Sequence, residues 1–442
     1  MVIRRDHYLN DLIARRNDGL IKVVTGIRRC GKSFLLFHLF RDYLLSESVD
    51  ASHIVPFAFD NDEDLDLIAP YYPDEPTKIY LDNKRTKYVV NAKKFRAYIK
   101  DKAVGEARYY LLLDEVQLLD DFVGTLNGLT RHDNYDIYVT GSNSRFLSKD
   151  VATEFRARGE QIHINPLSFS EFFQAYGGAF DDAFEAYATY GGLPYVATLR
   201  EDSRKAEYLR NLLDSLYQKD VVDRYDIESV DSLSVLMDVL ASNIGSFTNP
   251  TKIEATFQSQ RGVAYHHDTI ARHLGYLQDC FLIEEAKRFN VKGRKYIGAN
   301  SKYYWTDIGL RNALLRFRQQ EPTHIMENIV YNELRVRGYE VDVGIVEAKA
   351  KNDAGVYAIK QYEVDFVCNL GNEKVYVQSA YALPDEDKRQ QELRSLSMIR
   401  DSFRKVVVVR GPIKPWADEN GVFYIGLKDF LLNRDALRWL IH

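Results

Sequence analysis

Eight consecutive residues near the start of the chain have the spacing that phosphate chemistry requires: Gly26-Ile27-Arg28-Arg29-Cys30-Gly31-Lys32-Ser33. Gly26 and Gly31 permit backbone conformations in which successive N–H groups, those of Arg28, Arg29 and Cys30 among them, converge on phosphate oxygens. Lys32 is placed to reach β- and γ-phosphates, and the Ser33 hydroxyl to ligate Mg²⁺. The flanking residues meet the requirement of context. Ile21–Thr25 is a short β-branched run that reads as a buried parallel strand. Beyond Ser33, residues Leu35, Leu36, Leu39, Phe40 and Tyr43 recur at helical spacing. Strand, glycine loop and helix predict a nucleoside-triphosphate site, with the positive end of the helix dipole facing the anion.

Two downstream segments carry matching chemistry. The apolar run 109–113 ends in Asp114-Glu115. Asp114 is placed to hold Mg²⁺ through water, and Glu115 to polarise the attacking water. Two acids after an apolar run are also an ordinary strand end, and the phosphate loop upstream is what favours the catalytic reading. The run 136–140 ends in Gly141-Ser142-Asn143-Ser144. Asn143 or a neighbouring hydroxyl stands where a sensor of the γ-phosphate is expected, a capped helix start being the alternative. In Phe155-Arg156-Ala157-Arg158-Gly159, either guanidinium could offset transition-state charge, in cis or across a subunit contact, or simply be solvated.

Taken in order, GIRRCGKS, LLLDEVQ, TGSNS, FRARGEQIHINPLSFSEFF and YGGLPYVATL resemble the bacterial and archaeal AAA+-type ATPases that carry an uncharacterised C-terminal domain. The resemblance covers the whole chain. It implies ATP and Mg²⁺ as ligands and an ATP hydrolase as the activity; no guanine-reading N-K-x-D motif follows the loop. The family's L-R-G-R-like element stands a fixed distance before P-L-S-F-x-E-F. That register makes Arg156 and Arg158 arginine-finger or sensor residues, and a finger acting in trans implies a homo-oligomer.

The chain has 442 residues, 45% hydrophobic and 28% charged, with a formal net charge of −5. That length calls for several cores, and the charge argues against wholesale coating of nucleic acid. Cys30, Cys280 and Cys368 lie far apart and suggest neither zinc nor a disulfide framework. A charged N-terminus and the lack of a long apolar run predict a cytoplasmic protein with no membrane segment.

The expected architecture is α/β in four parts. Residues 1–165 form a P-loop NTPase parallel sheet, 166–230 a helical lid subdomain, 231–320 a winged helix, and 321–442 a restriction-endonuclease-like α/β domain. A single helix is expected over residues 1–20 and an irregular loop over 70–88. In the winged helix, residues 269–280, capped by Asp268, would be the recognition-type helix, offering Arg272, His273, Tyr276 and Gln278. The hairpin that follows carries Lys287, Arg288, Lys292, Arg294 and Lys295 and no acid between them, a strip that would attract a DNA backbone. Residues 303–310 look like the family's linker into the last domain. There Glu327 on a helix, Asp365 on a strand and Gln378 on the next match the PD-(D/E)xK nuclease layout, but Ala380 stands where its lysine belongs. Such a scaffold is expected to bind rather than cut. The favoured reading is a nucleotide-driven switch coupled to these modules. The alternatives are a nucleotide-gated DNA- or protein-binding module with little turnover, and an ATP-regulated nuclease.

Overall fold

The computed structural model describes residues 2–82, 87–141, 155, 158–261, 265–319, 321–351, 357–383 and 385–438. The chain divides into two compact units, Val2–Asn165 and Pro166–His442. No helix of the described residues is long and apolar enough to cross a membrane.

In the first unit the strands are β1 (Ile21–Thr25), β2 (Ile54–Ala58), β3 (Lys78–Tyr80), β4 (Tyr88–Val90), β5 (Tyr109–Asp114), β6 (Tyr135–Thr140) and β7 (Gly159–His163). Five of them form a sheet in the order β2-β5-β6-β1-β7, with every neighbouring pair parallel. All five residues of β1 are buried. Continuous Val, Ile and Leu runs suit strands covered on both faces. Lys22 breaks the run, and its ammonium is paired inside with Asp136 at 2.6 Å. The apolar core on one side joins Val23, Phe57, Phe95, Leu111, Leu126 and Val139.

Three local expectations give way here. The first helix is shorter than 1–20, covering Asp6–Ala14, with Arg5 turned inward ahead of it. The proline-rich stretch 70–88 contributes to a two-stranded hairpin, β3 against β4. The helix after the loop passes through a π-helical turn, Leu35–Phe40, before Arg41–Ser46.

The second unit begins with helices. Ser168 and Glu171 form a reciprocal capping box at the start of Phe169–Tyr176, which accounts physically for the P-L-S-F-S-E-F run. Further on, Val230–Ser242, Pro250–Arg261 and His267–Asp279 precede a hairpin of β8 (Ile283–Asn290) and β9 (Lys295–Trp305). The remaining strands are β10 (Glu340–Lys351), β11 (Tyr357–Leu370), β12 (Glu373–Ala380), β13 (Arg404–Val409), β14 (Trp416–Ala417) and β15 (Val422–Gly426). All eight share one sheet, ordered β14-β15-β13-β12-β11-β10-β8-β9. The hairpin expected as a wing is also an edge of that sheet: Arg288–Asn290 pair in parallel with Val343–Ile345 of β10. A two-stranded hairpin is marginal alone, and this pairing gives it a third strand. The boundary expected at 320/321 does not separate two sheets.

Nor are residues 303–310 a simple linker. Asp307 is 2% exposed and caps the helix Ile308–Leu314, accepting from Leu310 N at 3.0 Å and from Gly192 N at 2.8 Å. Arg311, with no exposure, donates to the carbonyls of Ala241 and Gln319 and to Glu321. Asn312 donates to the carbonyls of Ala188 and Thr189. This segment is a buried hub for the unit's helices.

Burial pushes the Asp307 carboxyl up to about 6, against the backbone N–H groups that favour its anion. The folded chain thus prefers protonated Asp307. The stability that preference contributes is full below about pH 4 and is lost as pH rises through about 6. The unfolding free-energy difference between wild type and Asp307→Asn should accordingly fall by about 3 kcal/mol between about pH 4 and pH 7. A pH-independent difference in denaturant titrations would contradict this.

Candidate functional site

The phosphate loop follows β1 and has a built shape. Gly26 has φ 143°, and a Cβ there would lie 2.2 Å from the backbone oxygen of Ile164. Arg29 and Gly31 are left-handed, at φ 67° and 102°. Gly31 heads the helix with no side-chain cap on its first turn, so those N–H groups remain available to an anion. The Lys32 ammonium is buried and folds over the loop, donating to the carbonyls of Gly26 at 2.9 Å and Ile27 at 3.1 Å. Arg5 braces the loop from behind, with one arm on the Cys30 carbonyl at 3.0 Å and the other on the Asn165 carbonyl at 2.8 Å. Sequence reasoning missed Arg5, since nothing in its local pattern sets it apart from the other N-terminal charges.

The acids stand across one strand from the loop, because β6 lies between β1 and β5. Two interstrand steps of about 4.8 Å leave roughly 10 Å for phosphates, metal and water. Asp114 is buried and accepts a short hydrogen bond from the Thr140 hydroxyl. Glu115 is in the left-handed region at φ 50°, an uncommon conformation for glutamate and one that recurs at functional sites. Its backbone N–H reaches Thr140 Oγ1 at 3.3 Å. Burial raises the Glu115 carboxyl, Asp114 and Asp60 raise it further, and Lys32 and Gln117 pull it down. A raised carboxylate suits a group that polarises water.

Asp60 is a third acid the sequence reading took for turn polarity. It follows β2, where Ala58 is in register with Asp114. Burial and then Asp114 raise its carboxyl, while Arg28 and Arg29 of the loop oppose this. Its neighbours therefore place it at the rim of the same site. The uncapped N–H groups of the first helical turn, Lys32, the Ser33 hydroxyl, Asp114 and Asp60 are the set that a Mg²⁺–nucleoside triphosphate would need.

Arg158 is not with them. It immediately precedes β7, its carbonyl accepting from Ile21 N at 2.8 Å, at the opposite end of the sheet from the loop. Five residues at about 3.3 Å separate the two ends by roughly 16 Å, beyond the reach of one arginine. Its side chain is exposed and lies 3.4 Å from the Thr130 hydroxyl. Asn143 and Arg156 lie outside the described residues.

In the second unit Glu327, Asp365 and Gln378 come together. Asp365 N donates to Gln378 Oε1 at 3.3 Å, and Ser379 N donates to Asp365 Oδ2 at 2.8 Å. Ala380 is buried and apolar. A cation is nonetheless present, from a strand the sequence reading did not connect to this cluster. Lys302 of β9, 3% exposed, contacts Glu327 at 2.8 Å and Glu363 at 2.5 Å. Tyr304 donates to Glu327 at 2.6 Å. Burial would raise the Glu327 carboxyl, but Lys302, His324 and Tyr304 hold it below the usual range. Asp365, buried beside the Glu327 charge, is pushed well above it.

The basic hairpin and the helix before it are only partly available. Lys287, Lys292, Arg294 and Lys295 are exposed, while Arg288 donates to Gln361. His273 is buried against Tyr265, and Tyr276 stacks on Tyr225 at 3.8 Å, which leaves Arg272 as the exposed member of its set. The helix is capped by His266, two residues earlier than the expected Asp268.

Residues 18–173 match the AAA domain family, and residues 181–321 match a domain of unknown function, DUF8612. An uncharacterized protein of Haemophilus influenzae is 31% identical over 437 residues, which is 98% of this chain and 99% of that one. The chain belongs to that protein's family. A second relative, an uncharacterized protein of Methanocaldococcus jannaschii, is 28% identical over 84% of this chain and 77% of its own. Among solved structures, Aeropyrum pernix Orc1 in complex with DNA aligns over 72% of this chain and 93% of its own, at 13% identity and a TM-score of 0.31. This chain thus carries an AAA-type nucleotide-binding domain over 18–173, the stretch that contains the loop, both acids and Arg158.

In this family member the Lys302 cluster sets a measurable expectation. Removing the cation strands Glu327 in the interior, whereas Glu363 is one-third exposed and can be hydrated when its partner goes. Lys302→Met should lower unfolding free energy by about 3–5 kcal/mol, the usual result of breaking a buried pair. Glu363→Gln should cost clearly less. Equal losses in chemical denaturation would show that Lys302 is not the counter-ion of a buried charge.

Proposed function

We propose that the chain is a Mg²⁺-dependent ATP hydrolase that works as a nucleotide-driven switch. One observation carries this reading: Glu115, left-handed and with a raised carboxyl, faces Lys32 and the phosphate loop across a single intervening strand. A binding module with little turnover has no need of such a residue. In the proposed reaction Lys32 and the loop N–H groups would hold the phosphates, and Ser33 and Asp114 would hold Mg²⁺, with Asp60 beside them. The metal would neutralise charge building on the transferred phosphoryl group. Glu115 orients water for in-line attack, and Asn143 reads the γ-phosphate. Arg158 lies too far from its own loop, so the charge it offers is to the nucleotide of a second copy, which makes the active form a homo-oligomer. Arg156 is the other finger residue we assign from the motif.

The switch would act on a winged helix and a nuclease-like scaffold. Supporting the former are the helix Val230–Ser242, Thr248, two further helices and a hairpin, in that order, with Thr248 bridged to Ser301 of the hairpin. DNA is the partner we favour for it, through Lys292, Arg294 and Lys295. The scaffold is proposed to bind without cutting: Ala380 offers no proton or charge, and Lys302 is already engaged by two carboxylates.

One ATPase assay tests these roles together. Lys32→Ala should abolish Mg·ATP binding and turnover, whereas Glu115→Gln should retain ATP and slow hydrolysis by about 10²–10⁴-fold. Mixing Lys32→Ala with Arg158→Ala should restore part of the activity, since each copy supplies what the other lacks. Duplex DNA should alter the rate in wild type but not in Arg294→Ala/Lys295→Ala. Wild-type turnover in Lys32→Ala would end the reading; absence of complementation would remove only the role given to Arg158.

A further inference from the structure

A second cluster of metal-ligating side chains lies far along the sequence from the nucleotide loop. Glu254 stands on the helix Pro250–Arg261, and His266 and His267 stand where the next helix begins. One donor atom from each of the three lies within 4.8 Å of the other two. The Glu254 carboxylate is 3.0 Å from His267 Nδ1. Asp268 closes the far side, 3.4 Å from His266 Nδ1 and 3.6 Å from His267 Nε2. The two imidazoles lie against each other, centroids 4.1 Å apart and 33° from parallel.

We propose that Glu254, His266 and His267, with Asp268 as a fourth donor, bind one divalent first-row transition ion of the zinc type. The donor chemistry selects the class. Imidazole nitrogens favour Zn²⁺, Co²⁺ or Ni²⁺ over Mg²⁺ and Ca²⁺, which prefer all-oxygen sites. Two carboxylates match a divalent charge and offset the positive end of the helix that starts at His267. Two adjacent imidazoles this close would repel if both were protonated, and a shared cation reverses that. Tetrahedral binding at about 2.0–2.1 Å needs the donors to draw together by roughly an ångström. His266, 61% exposed, and Asp268, 82% exposed, can supply that movement by side-chain rotation. Glu254, only 20% exposed, is the anchored ligand.

The consequence is a clamp between two helices. Glu254 is separated by more than ten residues from the histidines, so one ion would pin Pro250–Arg261 to the start of His267–Asp279 and fix the direction in which Arg272 is presented. This holds whether or not the helix meets DNA, and whether or not ATP is turned over.

The test uses the untagged, full-length chain, stripped with chelator and free of nucleotide. Zn²⁺ titrated calorimetrically should bind at one ion per chain, and Co²⁺ should give the visible absorption of a four-coordinate site. His267→Ala and Glu254→Ala should each weaken Zn²⁺ binding by at least about tenfold. Zn²⁺ should raise the Tm of wild type and of Lys32→Ala alike, and leave His266→Ala/His267→Ala unmoved. The double variant, altered only at exposed or half-exposed positions, should itself remain folded by circular dichroism. Sub-stoichiometric Zn²⁺ binding, or binding unchanged in the double variant, would overturn the proposal and leave the cluster a surface ion-pair group.

Discussion

The first unit is organised around a contact that allows no side chain: Gly26 lies against the Ile164 carbonyl, where a Cβ would come within 2.2 Å of that oxygen. This close approach lets the chain leave β1 and turn at once into the loop, with the left-handed residues Arg29 and Gly31 completing the curve. Arg5 ties the same two segments together, bonding the Cys30 carbonyl of the loop and the Asn165 carbonyl beyond β7. A rigid loop matters because its backbone N–H groups are useful only if already aimed. The helix dipole and Lys32 then add charge to a cradle whose geometry is held from behind.

The position of the acids follows from strand order. With β6 inserted between β1 and β5, Asp114 and Glu115 are held one strand-width beyond contact with the loop, leaving a gap for phosphates, metal and water. The Thr140 hydroxyl, at the end of that intervening strand, bonds both acids' residues and couples them. Asp60, just past the end of β2, the strand outside β5, completes a row of three acids opposite one lysine. Burial, and then repulsion from Asp114 and Asp60, raise Glu115, and a divalent ion would relieve the repulsion.

What could be read from the sequence was what is local. The loop, the acid pair and the apolar runs of β1, β5 and β6 announce themselves because spacing along the chain sets both their structure and their chemistry. β7 did not, since Gly-Glu-Gln-Ile-His offers one apolar residue and takes its place as the edge beside β1 through pairing alone. Asp60, Arg5 and Lys302 escaped for a related reason. Each acquires its role from a neighbour brought near by strand order or chain crossing, which a linear pattern does not encode. His273 shows the opposite error: a polar residue on a helix was taken as outward, yet it turns into the core to meet Tyr265. Asp307 was legible within a motif but not as part of a hub, and Arg311 and Asn312 were not legible at all, because their partners lie from Ala188 to Glu321 along the chain.

The central claim is that backbone conformation at residues 26–33, more than any one side chain, makes the nucleotide site. Equilibrium binding of Mg·ATP to Gly26→Ala tests it most directly, because this variant keeps Lys32, Ser33, Asp114 and Glu115. A methyl group forced against the Ile164 carbonyl, at a φ that alanine resists, should leave a folded protein by circular dichroism and weaken ATP binding by at least about 100-fold. Wild-type affinity in a folded Gly26→Ala chain would contradict the account.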